Sequence, residues 1–242
     1  MTGLDLRPLS LGEILDRTFT LFRRYFLLFI GIAGIPQLIV FALQTVQIGL
    51  QYNFPGEFAA LTWRTALMTL ALLVVSTFAY LVSQAASVLA ISDLYLGRPV
   101  SLGHALQRAR GHLGFLFGVV VLNGLAILGG LILLIIPGIY VACRLLVCVP
   151  VALIEERSPR ESLSRGWSLT KENAGRSFMI LLLYLVIAIA ANALLTFPFS
   201  LGVVMSAKNP SGAWIWIVLT QAGARIAAVI TQPVLLIATA IF

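Results

Sequence analysis

Two arginines of this 242-residue chain, Arg144 and Arg225, stand inside long apolar runs, and no acidic residue falls at a comparable depth. A guanidinium held away from water is costly unless it is paired or hydrated. Each therefore needs anions or carbonyl oxygens, and two readings meet that need. In one, the arginines face a polar cavity holding an anionic group such as a lipid phosphate, with Tyr140 as a further donor. In the other, carbonyls freed at Pro137, Pro150 or Pro233, with trapped water, satisfy them structurally. Asn123, Gln84, Asn192, Gln221 and Gln232 are additional polar groups inside apolar runs, each equally explained as interhelical glue.

Signals for catalysis or metal binding are poor. His104 and His112 are the only histidines, eight residues apart, with no carboxylate at a zincin spacing. There is no Gly-rich phosphate loop, nucleophile elbow or pair of intramembrane aspartates. Asp93 with His104 is the one arrangement open to an interfacial hydrolase. Cys143 and Cys148 lie about 8 Å apart along a helix at about 1.5 Å per residue, facing different ways, so neither a disulfide nor a metal pair is expected. The chain is read as a non-enzyme without metal or cofactor.

Composition places these residues in lipid. The chain is 60% hydrophobic and 10% charged, whereas a soluble domain carries about a quarter charged residues. One membrane domain over 1–242 is expected. The net charge of +7 does not point to nucleic acid, because the basic residues flank apolar runs. That placement is the orientation signal of a membrane protein.

Six spans are expected, at about 25–50, 65–96, 113–136, 139–154, 177–205 and 214–242. The second exceeds the roughly 20 residues needed to cross, so its end should protrude as far as Asp93. The third carries Gly114 and Gly118 at a spacing for close helix contact. The run then breaks at Pro137-Gly138, leaving a fourth span of about 24 Å at about 1.5 Å per residue, which must thin the bilayer, shelter within the bundle or work with the preceding break. Pro36, Pro150, Pro198 and Pro233 are either static kinks or bending points.

Three amphipathic pieces precede pairs of spans. In 10–24, Leu11, Ile14, Leu15, Thr18, Phe19 and Phe22 fall on one face, with Glu13, Asp16, Arg17, Thr20, Arg23 and Arg24 on the other. Ser10 with Glu13, and Ser158 with Glu161, form capping boxes, and Pro159 takes the first helical position. Ser10-x4-Leu15-x-Arg17, Ser101-x4-Leu106-x-Arg108 and Ser158-x4-Leu163-x-Arg165 share one spacing. The architecture predicted is all-α: three units, each an interfacial helix followed by a helical hairpin. Because Ser, Leu and Arg are common, any capped amphipathic helix would give a similar pattern.

Segments 1–24, 93–112 and 155–176 hold every Lys and Arg except Arg64, Arg144, Lys208 and Arg225. By the positive-inside rule both termini and all three amphipathic helices are cytoplasmic. Trp63, Trp214 and Trp216 then belong to the outer aromatic belt. No cleavable signal is expected, because the first apolar run is long and lacks a small-x-small exit. The apolar ending leads us to expect a continuation beyond it.

The blocks RPLSLGEILDRTFTLFRRYF and PGIYVACRLLVCVPVALIEERSPRESLSRGWSLTKENAGR resemble a bacterial family named after the membrane domain of glycerophosphoryl diester phosphodiesterases, with its stand-alone relatives. The elements that carry the resemblance are Pro137, Gly138, Arg144, Pro150, Glu155, Leu163, Arg165 and Trp167. The resemblance implies a six-helix domain in a bacterial inner membrane. In some members that domain precedes a catalytic domain, for which this chain has no soluble region, so no phosphodiesterase activity is implied.

The functional expectation is a non-enzymatic module that binds, or helps move, an anionic amphiphile such as phospholipid through Arg144 and Arg225. The alternative is a structural or regulatory subunit whose basic cytoplasmic face (Arg17, Arg108, Arg165) docks a protein partner. A channel or small-solute transporter comes third, and the aliphatic spans advertise no continuous polar path for it.

Overall fold

The computed structural model describes residues 11–53, 63–155, 158–171, 173–206 and 212–241, and these form an all-helical bundle. In chain order the helices are α1 (Leu11–Arg24), α2 (Phe26–Asn53), α3 (Trp63–Tyr95), α4 (Leu102–Arg110), α5 (Leu113–Leu133), α6 (Ile135–Arg144), α7 (Cys148–Glu155), α8 (Pro159–Leu169), α9 (Ala174–Met205) and α10 (Ala213–Ile241). Helices α2, α3, α5, α9 and α10, with α6 and α7 together, give six segments long and apolar enough to cross a membrane. Much of their apolar surface faces outward: Leu27, Ile132 and Ile136 are each more than four-fifths exposed, as lipid-facing residues should be.

The three units predicted from the repeat spacing correspond to α1 with the hairpin α2–α3, α4 with the hairpin α5–α6/α7, and α8 with the hairpin α9–α10. The units also pack in a closed ring, through α10 on α2, α3 on α5 and α7, and α6 on α9. Each short helix lies on the span that precedes it around that ring: α4 on α3, α8 on α7, and α1 on α10. Helix α1 buries Ile14, Thr18 and Phe22, one every turn, and leaves its arginines outside. Phe19, expected on the same face, is exposed. The largest core cluster joins Phe29 and Ile32 of α2, Leu81 and Ile91 of α3, Leu116 of α5 and Ile237 of α10.

Caps and turns fix where the short helices begin. Ser101 accepts a hydrogen bond from the His104 amide at 3.3 Å, starting α4. The Glu161 carboxylate accepts from the Ser158 amide at 3.2 Å, starting α8 as the box predicts. The Ser10 cap lies outside the described residues. Gly97 takes φ 69°, a left-handed turn suited to a residue without Cβ. There the Arg98 amide donates to the Asp93 carbonyl at 2.9 Å, closing α3.

The break between the third and fourth spans differs from expectation. It falls at Leu134, whose backbone is extended (φ −172°, ψ 159°), and not at Pro137-Gly138. Pro137 has no amide to give the carbonyl four residues back, Leu133, and its ring would clash with that carbonyl. Helix α5 therefore ends at Leu133, and Pro137 sits in the first turn of α6, where its missing amide costs nothing. Pro150 is likewise in the first turn of α7 and not within a helix. The fourth span consequently runs over Ile135–Glu155, longer than the expected 139–154, and is interrupted between Arg144 and Cys148. Pro36, Pro198 and Pro233 do lie inside helices.

The close helix contact is only partly the expected one, holding at Gly118 against α8 and not at Gly114. Gly114 has open space around it, and Gly118 faces the ring of Pro159. The tight pair is Gly130 with Gly138: a Cβ on Gly130 would come within 2.9 Å of the Gly138 Cα. The neighbouring Gly129 faces open space. Replacing Gly130 by Ala should thus destabilise the protein by about 1–3 kcal/mol through overpacking, whereas Gly129→Ala should be neutral or stabilising by up to about 1 kcal/mol. Thermal unfolding of the two variants in one detergent checks the contrast.

Candidate functional site

Arg225 lies partway along α10, a helix without an acidic residue, opposite α2, which also has none. Gln37 and Gln44 are seven residues apart on α2, two helical turns, so their carboxamides share a face. Arg225 Nη1 donates to Gln37 Oε1 at 2.8 Å, and Nε donates to Gln44 Oε1 at 3.2 Å. Beside this cluster an apolar groove of about 420 Å³ runs between the two helices, walled by Phe26, Ile30, Phe41, Ile226 and Ile230, with Gln37 and Arg225 as its polar residues. The amides supply acceptors but no negative charge. A half-buried cation therefore faces an apolar groove with its charge uncancelled.

Arg144 is treated differently. It is the last residue of α6 and is 2% exposed. Its guanidinium lies 4.6 Å from the Trp167 ring centroid and 5.8 Å from that of Tyr140. The two rings meet edge to face, with centroids 6.0 Å apart. Tyr140 sits one turn before Arg144 on the same helix, so their meeting is a matter of local geometry. Trp167 arrives from α8, which is fastened over the interruption in the fourth span. Thr170 Oγ1 donates to the Arg144 carbonyl at 2.8 Å, and Gly166, lacking a side chain, admits Cys148. Arg144 Nε and Nη1 are buried and make no hydrogen bond among the described residues. The negative faces of the two rings are what this cation has in place of acceptors.

The structure does not bring the two arginines together: the groove at Arg225 is walled by α2 and α10, and Arg144 is not part of it. Tyr140 stays with Arg144. In neither case do proline-freed carbonyls make the contacts just described. Of the other polar groups named from the sequence, Gln84 donates to the Tyr80 hydroxyl. Gln84 Oε1, Asn123 Oδ1 and Gln232 Nε2 are buried without a partner among the described residues. Both cysteines are free and buried.

The basic face expected of Arg17, Arg108 and Arg165 is partly engaged within the chain. Arg108 of α4 donates to Asp93 at 2.6 Å, with Arg98 3.5 Å from the same carboxylate. Arg165 of α8 donates to Glu155 at 3.3 Å. In both, the arginine of the interfacial helix reaches the acid near the end of the span before it. Asp93, now held by two arginines, is not offered to His104. His112 instead places Nδ1 3.0 Å from the Arg108 carbonyl. Among the described residues no cluster of three His, Cys, Asp or Glu side chains is placed to hold a metal.

Fold and site together define a multi-pass α-helical membrane protein. Comparison with protein-family models, with curated proteins and with solved structures found no match, so the site is read on its own chemistry. The sequence reading passed over Gln37 and Gln44; two amides on one face of an otherwise apolar span were the signal available. It named Trp167 only through a resemblance, because nothing local ties it to a residue 23 positions earlier.

If the amides are what make Arg225 tolerable, the energies must be coupled. Gln37→Leu alone should cost about 1–3 kcal/mol by orphaning a buried donor. Arg225→Leu should cost clearly less in a Gln37→Leu/Gln44→Leu background than in the wild type. A double-mutant cycle of unfolding free energies in detergent checks this, and additive costs would refute the coupling.

Proposed function

We propose that the chain is a non-enzymatic protein of a bacterial inner membrane that binds an anionic amphiphile, such as a phospholipid, in the groove between α2 and α10. The observation that carries the proposal is Arg225: a guanidinium with neutral acceptors, facing an apolar groove, in two helices free of acid. An anion there would cancel the charge that Gln37 and Gln44 leave standing, and the walls from Phe26 to Phe41 would take an apolar chain. Phe26 and Phe41 are 15 positions apart on α2, about 22 Å at about 1.5 Å per residue, the scale of an acyl chain.

On this reading Arg144 does not receive the ligand; under Trp167 and Tyr140 it anchors α8 over the interrupted span. The basic segments lie on the cytoplasmic side, so the Phe26 end of the groove opens toward the cytoplasmic leaflet. The competing proposal, a structural or regulatory subunit docking a cytoplasmic partner, loses two of its candidate residues, since Arg108 and Arg165 already hold carboxylates.

Native mass spectrometry with lipid identification tests the proposal on mildly purified protein. A defined anionic lipid should be retained equally by the wild type and by Arg144→Gln, and folded Arg225→Gln should hold fewer copies of it. Equal, unselective lipid in all three would overturn the proposal in favour of the structural subunit.

A further inference from the structure

The interfacial helices carry equivalent arginines, by spacing, at Arg17, Arg108 and Arg165. Arg108 and Arg165 are neutralised by Asp93 and Glu155, which lie at the ends of the spans on which α4 and α8 rest. Helix α1 rests on α10, and α10 has no acidic residue. Arg17 accordingly forms no ion pair among the described residues. Among the described residues, no carboxylate meets the interfacial arginine of the first unit as it does in the other two.

Arg17 instead lines a pocket of about 350 Å³ between α1 and the end of α3. Arg17, Arg24, Thr20, Tyr25 and Tyr95 line it, together with one acid, Asp16. Arg24 stands 5.6 Å from the Tyr25 ring centroid and makes no ion pair among the described residues. Two guanidiniums against one carboxylate leave a net positive charge, and three hydroxyl groups add donors. Arginine forks suit phosphate geometry, and hydroxyls are short-range donors to the same oxygens. The pocket sits where an interfacial helix meets the end of a span, at headgroup level.

We infer that this pocket is a second anion site, separate from the α2–α10 groove, in which Arg17 and Arg24 hold a phosphate group. The phosphate is that of a lipid headgroup or of a soluble phosphodiester. Binding is charge-assisted and local to the pocket, unlike the diffuse attraction of any basic surface to an anionic membrane.

Titration of the purified full-length chain in uncharged detergent tests this, with Arg225→Gln present throughout so that the α2–α10 groove does not contribute, short-chain phosphatidylglycerol and soluble glycerophosphoglycerol as probes and thermophoresis as the readout. Arg17→Gln/Arg24→Gln should weaken binding at least tenfold. Tyr95→Glu, which supplies the missing carboxylate from within, should do the same while keeping every basic residue and the melting temperature of the Arg225→Gln parent. Arg23→Gln removes a charge from the same helix without touching the pocket, and should change affinity less than twofold. Should the double variant not fold, Tyr95→Glu decides alone. A preference for phosphatidylglycerol identifies a lipid headgroup, and equal binding of the two probes identifies the phosphate itself. The inference is overturned if the Arg225→Gln parent binds neither probe, if Tyr95→Glu binds as that parent does, or if Arg23→Gln loses as much as the pocket variants.

Discussion

A cation inside a bundle whose spans contain no carboxylate at its depth has to be met by something neutral, and much of the local architecture follows from that need. Arg225 is met by two amide carbonyls, Gln37 and Gln44, which fixes the register of α10 against α2. Arg144 is met by two aromatic faces, one from its own helix and one from an interfacial helix. The outcomes differ chemically. The rings cover Arg144 almost completely, whereas the amides leave Arg225 half open to a groove. Within the spans, acids appear only near the ends, at Asp93 and Glu155, and there they hold α4 and α8 down.

The second constraint is the backbone of Pro137. It cannot accept a place in α5, so the chain turns at Leu134 and comes back at once as α6, with Gly130 against Gly138 at the crossing. Because the return is early, the fourth span has room to be interrupted after Arg144. The interruption exposes the Arg144 carbonyl, and Thr170 of α8 supplies the donor it needs. A proline at one end of the span thus leads, through helix phase, to the docking of an interfacial helix at the other.

The three-unit arrangement gives these details a common frame. Each unit lays a short helix on the span before it, and the ring closes through α1 on α10. Departures from the pattern are where chemistry concentrates. Only the fourth span is split, and only it carries an arginine at the split. Among the described residues, the first unit offers its interfacial arginine no ion pair. A repeat that is otherwise satisfied by internal pairing leaves its unmatched charges on view.

Composition and periodicity by themselves determined the all-helical membrane class, the six apolar segments, the interfacial helices and the common spacing of Arg17, Arg108 and Arg165, because these depend on local patterns of a few residues. The capping box at Ser158 was legible for the same reason, whereas Ser101 was legible only as part of the repeat spacing. The break near Pro137 was legible in kind but misplaced by three residues, since a proline is tolerated in a first turn and the helix that must stop is the one before it. What only the tertiary structure decided is pairing across distance: Gln37 and Gln44 with Arg225, Trp167 with Arg144, Gly130 with Gly138, Glu155 with Arg165. Apolar helices fit one another in many rotations, and sequence spacing fixes which residues share a face without fixing which face meets which. That choice was made by packing, and it separated the two arginines that the sequence had grouped as one site.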